Sequence, residues 1–99
     1  MNYFYILVDP DRPNVHKVGI TKNPQSRIKS YRTSAPSAYF HKVYKIPQIE
    51  NIKKHEKEIL YELSGAFKVR SEVVSGPLLI IENIIDDYWS DRGLLEENS

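Results

Sequence analysis

The N-terminal part of the chain alternates apolar runs with a turn-forming segment, which is typical of a β-hairpin. Residues 3–8 (Tyr-Phe-Tyr-Ile-Leu-Val) are aromatic, aliphatic or β-branched and predict a buried strand. Residues 9–14 include two prolines, which cannot donate hydrogen bonds to a sheet, and they predict a turn. Residues 15–20 then predict a second strand that pairs with the first. Gly19 inside this strand indicates a bulge or a close approach of another group to the backbone.

The middle of the chain predicts a helix followed by a third strand. Asn23 is a favourable N-cap and Pro24 a favourable first helical residue, so a helix should begin here and run to about Thr33. Residues 39–46 alternate apolar and polar side chains and predict a strand, which Pro47 ends. With the hairpin, this strand predicts an antiparallel or mixed sheet.

The C-terminal half predicts two longer helices with a short strand between them. The strongest helical pattern covers residues 49–64 and ends at Gly65, a residue typical of the position after a helix. Residues 66–74 are short and strand-like, and residues 75–89 predict a last helix from the spacing of their apolar side chains. The order of elements favours the α+β class, or a small αβ sandwich, with helices packed on the sheet.

Length and composition fit one small domain: 99 residues, of which 40% are hydrophobic and 27% charged. The longest apolar run, residues 77–81, is far shorter than the roughly 20 residues of a membrane span, and the N-terminus lacks the basic start of a secretion signal. Without cysteine, disulfides, thiolate zinc sites and a Cys nucleophile are excluded. We expect an intracellular protein, cytoplasmic or nuclear, with a folded domain at residues 1–89 and a flexible acidic tail at residues 90–99.

Charge is segregated along the chain although the formal net charge is only +1. Residues 12–54 contain ten Lys or Arg and one acid, a net charge of +9. Residues 82–99 contain six acids and one Arg, a net charge of −5. The basic half suggests a surface that faces a polyanion, and scattered solvated lysines are the alternative.

One carboxylate interrupts the apolar stripe of the helix predicted at residues 49–64. At about 100° per residue, Glu56 falls in the middle of an arc formed by four apolar side chains, those of Ile52, Ile59, Leu60 and Leu63. A carboxylate is costly to bury unless something pairs with it. Two interpretations therefore stay open. Glu56 either forms a buried salt bridge with a base such as Arg27, or acts as an acid–base group or a ligand of Mg²⁺ or Mn²⁺.

Arg27 lies beside the inward side of the first predicted helix, one turn before Tyr31. Its planar guanidinium matches the oxygens of a phosphate, so Arg27 is a candidate phosphate clamp. Lys29 and Arg32 project elsewhere on the same helix, as surface charges do.

Tyrosine is abundant, with seven in the chain, and Tyr5 and Tyr31 lie on the elements that carry these candidates. Most buried tyrosines only pack in the core. A phenol, whose ordinary pKa is about 10, acts as a general base only where cations or a hydrogen bond favour the phenolate. Lys17 and Arg27 are the candidate cations that would favour a phenolate here.

Five segments in this order resemble the GIY-YIG nuclease superfamily, and more closely its phage and large-virus branch. The segments are residues 3–7 (Tyr-Phe-Tyr-Ile-Leu), 17–21 (Lys-Val-Gly-Ile-Thr), 23–31, 51–60 and 69–74, so the likeness spans roughly Tyr3 to Trp89. The second motif here is Lys-Val-Gly, with Lys17 in place of the family's tyrosine and His16 before it. The resemblance therefore implies a nuclease domain, and the closer likeness to the phage and large-virus branch implies that a phage or virus encodes it.

The resemblance also implies a fold and a site. The fold is a small three-stranded antiparallel sheet flanked by helices, and one Mg²⁺ or Mn²⁺ ion binds Glu56. Tyr5 takes the place of the first motif's tyrosine, and Arg27 that of the phosphate-contacting arginine. Tyr31 takes the place of the His or Tyr that follows this arginine on the family's helix. Lys17 orients water or holds phosphate, while a tyrosine phenolate activates water for in-line attack on a phosphodiester. His16 and Glu72 are expected to support these residues.

The resulting hypothesis is a metal-dependent endonuclease that acts on DNA, with RNA left open, and with Lys22, Lys29 and Arg32 as further nucleic-acid contacts. The alternative is a non-catalytic nucleic-acid-binding module on the same scaffold. A third hypothesis is a protein-interaction domain that uses the last helix, with Ile84, Ile85 and Trp89 as anchors. No membrane partner is expected. To select its target, the protein could form a homodimer or use a separate targeting partner, and both possibilities stay open.

Overall fold

The computed structural model describes residues 1–47 and 51–94, and in this part of the chain five antiparallel strands form a sheet in the order β3-β1-β2-β5-β4. The elements, in chain order, are β1 (Asn2–Val8), β2 (Val15–Thr21), α1 (Pro24–Arg32), β3 (Tyr39–Ile46), α2 (Ile52–Ser64), β4 (Lys68–Arg70), β5 (Val73–Ser75) and α3 (Leu78–Arg92). The α+β class is confirmed.

The sheet has five strands rather than the three that the resemblance implied. The three predicted strands form β1, β2 and β3, with bounds within one residue of the prediction for β1 and β2 and identical for β3. The strand-like segment at residues 66–74 is instead two three-residue strands, joined by a turn at Ser71 and Glu72. Ser71 has a φ of 56°, in the left-handed region, and so reverses the chain without the glycine that usually marks such a turn.

Helices cover both faces of the sheet, which explains why β1 is apolar at successive positions rather than at alternate ones. Phe4, Ile6 and Val8 point into the main core, against α2 and α3. Tyr5 and Leu7 point the other way, into a smaller cluster beneath α1. One strand therefore connects the hydrophobic core with the face under α1.

The helices begin and end close to the predicted positions. The Asn23 side chain accepts a hydrogen bond from the Ser26 amide at 3.1 Å, which caps α1 as expected, and α1 ends at Arg32. The predicted start of the second helix at Ile49 lies outside the described residues. The last helix continues to Arg92, and residues 95–99 of the expected tail are likewise not described.

The apolar face of α3 belongs to the main core. Ile85 and Trp89, two of the anchors proposed for a protein interaction, are fully buried, and Ile84 packs against the same cluster. This placement favours the core role over the interaction role. Within residues 1–47 and 51–94, the longest and most apolar helices still fall short of what a membrane crossing requires.

Polar side chains attach α3 to the edge strand β3. Glu82 accepts hydrogen bonds from His41 Nε2 at 2.6 Å and from Lys42 Nζ at 3.3 Å. Asp86 accepts from Lys42 Nζ at 2.8 Å and from the Tyr44 hydroxyl. The hydrogen bond from His41 lowers the pKa of Glu82 below its ordinary value of 4.5, so the folded state favours the ionised carboxylate.

We expect Glu82→Gln to lower the free energy of unfolding at pH 7, by less than about 1 kcal/mol because the ion pairs are partly exposed. Because folding lowers the Glu82 pKa, this contribution is complete above pH 4.5 and is lost as the pH falls through the folded-state value. Urea unfolding at pH 7 and at pH 3.5 should therefore show a gap between wild type and variant that narrows in acid. Glu62→Gln, an exposed change on α2, is the control. A gap that widened in acid would contradict this account.

Candidate active site

Gly19 on β2 lies at the centre of a group of polar side chains on the sheet face beneath α1. In the β1–β2 register Gly19 is opposite Tyr5. A Cβ atom at Gly19 would lie 2.7 Å from Tyr5 Oη, closer than real Cβ contacts allow, and 3.1 Å from Glu72 Oε2, tighter than most such contacts. The predicted close approach at Gly19 is therefore confirmed, and the bare backbone makes room for both a phenol and a carboxylate.

Two tyrosines from different elements meet on this face. The hydroxyl groups of Tyr5 and Tyr31 are 2.9 Å apart, and their rings pack edge to face with centres 6.2 Å apart. The Lys17 ammonium lies 4.6 Å from the centre of the Tyr31 ring, a cation–π distance. The structure therefore brings Tyr5, Lys17 and Tyr31 together, as the sequence predicted.

Burial keeps Tyr5 in its neutral form. Only 1% of the Tyr5 surface is exposed, and this burial is the main cause that raises its pKa above the ordinary value. The hydrogen bond to Tyr31 and the charge of Glu72 act in the same direction, while the charge of Arg27 opposes them. Since the net shift is upward, Tyr5 is better suited to donate a hydrogen bond than to act as a base.

Arg27 occupies an exposed position on α1, yet lies close enough for its charge to act on the Tyr5 phenol. It forms no ion pair with a carboxylate of the described residues. The salt bridge between Arg27 and Glu56 that the sequence left open is therefore not formed. Its guanidinium is available to an external anion at the edge of the tyrosine pair.

Glu72 lies beside the Tyr5 hydroxyl at Gly19, and the carboxylate of Glu56, on α2, is close enough for the charge of Glu72 to act on it. Burial is the main cause that raises the pKa of Glu56, and the charge of Glu72 raises it further. The backbone N–H of Ile20 and the charge of Lys53 oppose this shift. Among the described residues, neither carboxylate makes an ion pair with Lys, Arg or His. Two neighbouring acids without a bound base form an electrostatic arrangement that an added cation would relieve.

The β4–β5 turn holds Glu72 in this position. The Val18 amide donates a hydrogen bond to the Glu72 carbonyl at 3.0 Å, so β2 fixes the turn directly. Glu72 was expected only to support the other site residues, because nothing in its local sequence pattern reveals that the turn folds back onto β2. Glu72 is the site residue that sequence reasoning most undervalued.

The donor set fits a hard divalent cation. Carboxylate oxygens are the protein ligands that Mg²⁺ and Mn²⁺ prefer, and Mg²⁺ commonly uses one or two of them together with water and phosphate oxygens. Within residues 1–47 and 51–94, no three His, Cys, Asp or Glu side chains converge as a closed metal site would require. The pair of Glu56 and Glu72 therefore suits an open site that shares its cation with a ligand.

The predicted nucleic-acid contacts differ in whether their side chains already bind another part of the protein. Lys22, just after β2, and Lys29, on α1, are exposed. Arg32 is also exposed, but its Nε donates a hydrogen bond to the Ala38 carbonyl at 2.9 Å. Arg32 therefore helps to fix the connection between α1 and β3.

His16 lies on the opposite face of the sheet from the tyrosines. Neighbouring residues of a strand point to opposite faces, so a position next to Lys17 directs His16 toward α3. His16 Nε2 donates a hydrogen bond to the Gly76 carbonyl at 3.1 Å, and burial lowers the pKa of the imidazole. Its Nδ1 is buried without a hydrogen-bond partner in the described part of the chain. The structure does not bring His16 together with the other site residues.

A second polar cluster, which the sequence did not reveal, joins α2 to α3 away from the site. The Tyr88 hydroxyl donates to Glu58 at 2.6 Å, and His55 Nδ1 lies 2.7 Å from the same hydroxyl. Arg92 lies over the Tyr88 ring, 3.6 Å from its centre. Glu58 therefore links α2 to the Tyr88 hydroxyl on α3.

We expect Gly19→Ala to lower the free energy of unfolding by about 1–3 kcal/mol, since the added methyl would overlap Tyr5 Oη in a packed region. The matched control is Gly65→Ala, at a residue with a φ of −71°, where the nearest atom to a new Cβ is 3.4 Å away. The control should be neutral or slightly stabilising. Urea unfolding of both variants makes the comparison, and equal losses would contradict a special role for Gly19.

A family model described as the T5orf172 domain matches residues 2–86 of the chain. The search of curated proteins found no match, and neither did the search of solved structures. The matched range contains β1 to β5 and more than half of α3, and with them Tyr5, Gly19, Glu56 and Glu72. The chain therefore belongs to the T5orf172 domain family, a family of nuclease-related domains.

Proposed function

We propose that the protein is a metal-dependent endonuclease of the GIY-YIG type that hydrolyses phosphodiester bonds in DNA. The observation that carries this proposal is a pair of unpaired carboxylates, Glu56 and Glu72, of which Glu72 lies at Gly19 beside the hydrogen-bonded tyrosines. The membership in a nuclease-related family supports the nucleic-acid substrate. Structural clusters elsewhere in the described chain pair their acids with bases, whereas this one does not.

Glu56 and Glu72 are the residues that would hold one Mg²⁺ or Mn²⁺ ion. When bound, such a cation supplies positive charge next to the oxygens of a phosphodiester and stabilises the charge that develops on them. The raised pKa of Glu56 agrees with this role, since its cause is partly a like charge that a cation would offset.

Arg27 and Lys17 supply positive charge next to the tyrosine pair. The exposed guanidinium of Arg27 binds a phosphate with two parallel hydrogen bonds. Lys17, beside the Tyr31 ring, is placed to hold a second oxygen or to orient a water molecule. Both groups keep the substrate positioned while its phosphorus is attacked.

Tyr31 is the better candidate for the general base, and Tyr5 is the positioning residue. Tyr31 is partly exposed, so water reaches its hydroxyl, and a lysine cation lies against its ring. Tyr5 is buried and stays neutral, and its hydroxyl lies within hydrogen-bond distance of the Tyr31 hydroxyl, so it can orient that group. This division assigns the tyrosine base that the sequence had left unspecified.

Glu56→Gln should lower the rate of plasmid nicking by at least about 100-fold, because it removes a charged ligand from the cation site. Supercoiled plasmid incubated with Mg²⁺ or Mn²⁺ gives the rate. Glu62→Gln, the same change at an exposed position of α2, is the matched control and should cut like wild type. In calorimetric titrations with Mn²⁺ alone, wild type and Glu62→Gln should bind about one ion and Glu56→Gln none.

Two results would count against this assignment. Equal nicking by Glu56→Gln and Glu62→Gln would remove Glu56 from the reaction. A folded wild-type protein that binds DNA but cuts neither supercoiled, linear nor single-stranded DNA would favour the non-catalytic nucleic-acid-binding module. The raised pKa of Tyr5 favours this second function, because a phenol that stays neutral does not act as a general base.

The division between the tyrosines gives a further test. Tyr31→Phe should lower the cleavage rate by about 100-fold or more, the usual contribution of a general base. Tyr5→Phe should reduce it less, because Tyr31 keeps its own hydroxyl. Circular dichroism at the assay temperature checks that both variants are folded, since Tyr31→Phe leaves a buried hydroxyl of Tyr5 without its partner. A larger loss in Tyr5→Phe would reverse the two roles.

A further inference from the structure

The sheet face that carries the site continues past α1 onto β5 and β4. Lys17 is opposite Val73 in the β2–β5 register, and Val73 is opposite Arg70 in the β5–β4 register. Directly opposite residues of antiparallel strands point to the same face. Arg70 therefore lies in the same transverse row as Lys17, on the face where Lys17 meets Tyr31.

A second row runs beside the first, two residues further along the strands. Here Val15 is opposite Ser75, and Ser75 is opposite Lys68. The other face of these strands is the hydrophobic one, since Val74 and Val69 belong to the main core. The polar face of β4 and β5 is thus turned toward the same side as the candidate active site.

Four residues of these two rows, Lys68, Arg70, Val73 and Ser75, line a shallow depression of about 250 Å³. We name this depression the β4–β5 platform. Lys68 and Arg70 are both exposed, and neither forms an ion pair with an acid in the described part of the chain. The platform therefore presents two cations and a hydroxyl group to the solvent next to the site.

We propose that the β4–β5 platform binds the phosphate backbone of the DNA strand a few nucleotides away from the bond that is cut. Arg70 and Lys68 pair with phosphate oxygens, and the Ser75 hydroxyl donates to a third oxygen. Neighbouring strands are about 4.8 Å apart, so Arg70 lies about 10 Å from Lys17, about three times the rise of about 3.4 Å per nucleotide. The position of the cut bond rests on the proposed function, whereas the affinity for phosphate rests on the platform alone.

The test measures binding of the full chain to a fluorescein-labelled 20-base-pair DNA duplex by fluorescence anisotropy, in EDTA so that nothing is cut. The double variant K68Q/R70Q should raise Kd about tenfold at 0.1 M salt, and it should reduce the slope of log K against log salt by about 1.8, the value for two phosphate contacts. The control K54Q/K57Q removes the same charge from exposed positions on α2 and should stay within about twofold of wild type. K68R/R70K, which keeps both charges, should restore binding.

Equal losses in K68Q/R70Q and K54Q/K57Q would overturn the platform, because they would reflect net charge alone. A wild-type protein that binds no duplex would overturn it as well. Plasmid nicking in Mn²⁺ separates the two proposals. Nicking by wild type combined with equal losses removes the platform and leaves the endonuclease. A platform-specific loss without nicking supports the platform and removes the endonuclease.

Discussion

Burial of β1 and β2 on both faces is the constraint on which the rest of the structure depends. Phe4 and Ile6 face the main core, so Tyr5 between them must face α1. A tyrosine ring in that position fills the space above the neighbouring strand, and only the bare backbone of Gly19 leaves room for its hydroxyl. The same gap admits the carboxylate of Glu72. Packing of the core thus fixes which polar groups can meet on the opposite side of the sheet.

The acids that join α3 to its neighbours have hydrogen-bonding partners, whereas the two acids of the candidate site form no ion pair within the described residues. Where α3 joins β3, Glu82 and Lys42 satisfy each other, and where α3 joins α2, Glu58 accepts a hydrogen bond from a tyrosine. These contacts stabilise the fold. Glu56 instead has a raised pKa, caused by burial and by the like charge of Glu72, an arrangement that is typical of functional sites rather than of structural pairs. The contrast between neighbouring regions of one small sheet is the strongest argument for activity.

Local pattern was sufficient for most of the fold. Apolar runs and proline boundaries placed the first three strands, and the N-cap at Asn23 placed α1, because each of these signals lies within the element that it defines. The β4–β5 hairpin was mistaken for one strand, since each strand has three residues and the turn at Ser71 lacks the usual glycine. Without that hairpin, neither the five-stranded sheet nor its order can be derived.

The site shows the same division between local and long-range information. The helical wheel singled out Glu56, because a carboxylate in an apolar stripe conflicts with its immediate neighbours. The position of Glu72 depends on the pairing of β5 with β2, which joins residues more than fifty positions apart in the chain. His16, which the resemblance implied as a supporting residue, points to the other face of the sheet from Lys17, because neighbouring residues of a strand alternate between faces.

The position of Glu72 in the β4–β5 turn makes the site sensitive to local opening of these strands. In the sheet, β5 pairs with β2 at three register positions, and β4, at the sheet edge, pairs only with β5. Edge elements with so few bonds open far more often than the central strands do. Each such opening would carry Glu72 away from Glu56, and it would also expose Val74 of the main core. The fraction of time that Glu56 and Glu72 spend close together then depends on how often the β4–β5 hairpin opens. Hydrogen exchange of the hairpin's amides therefore reports on the assembly of the site.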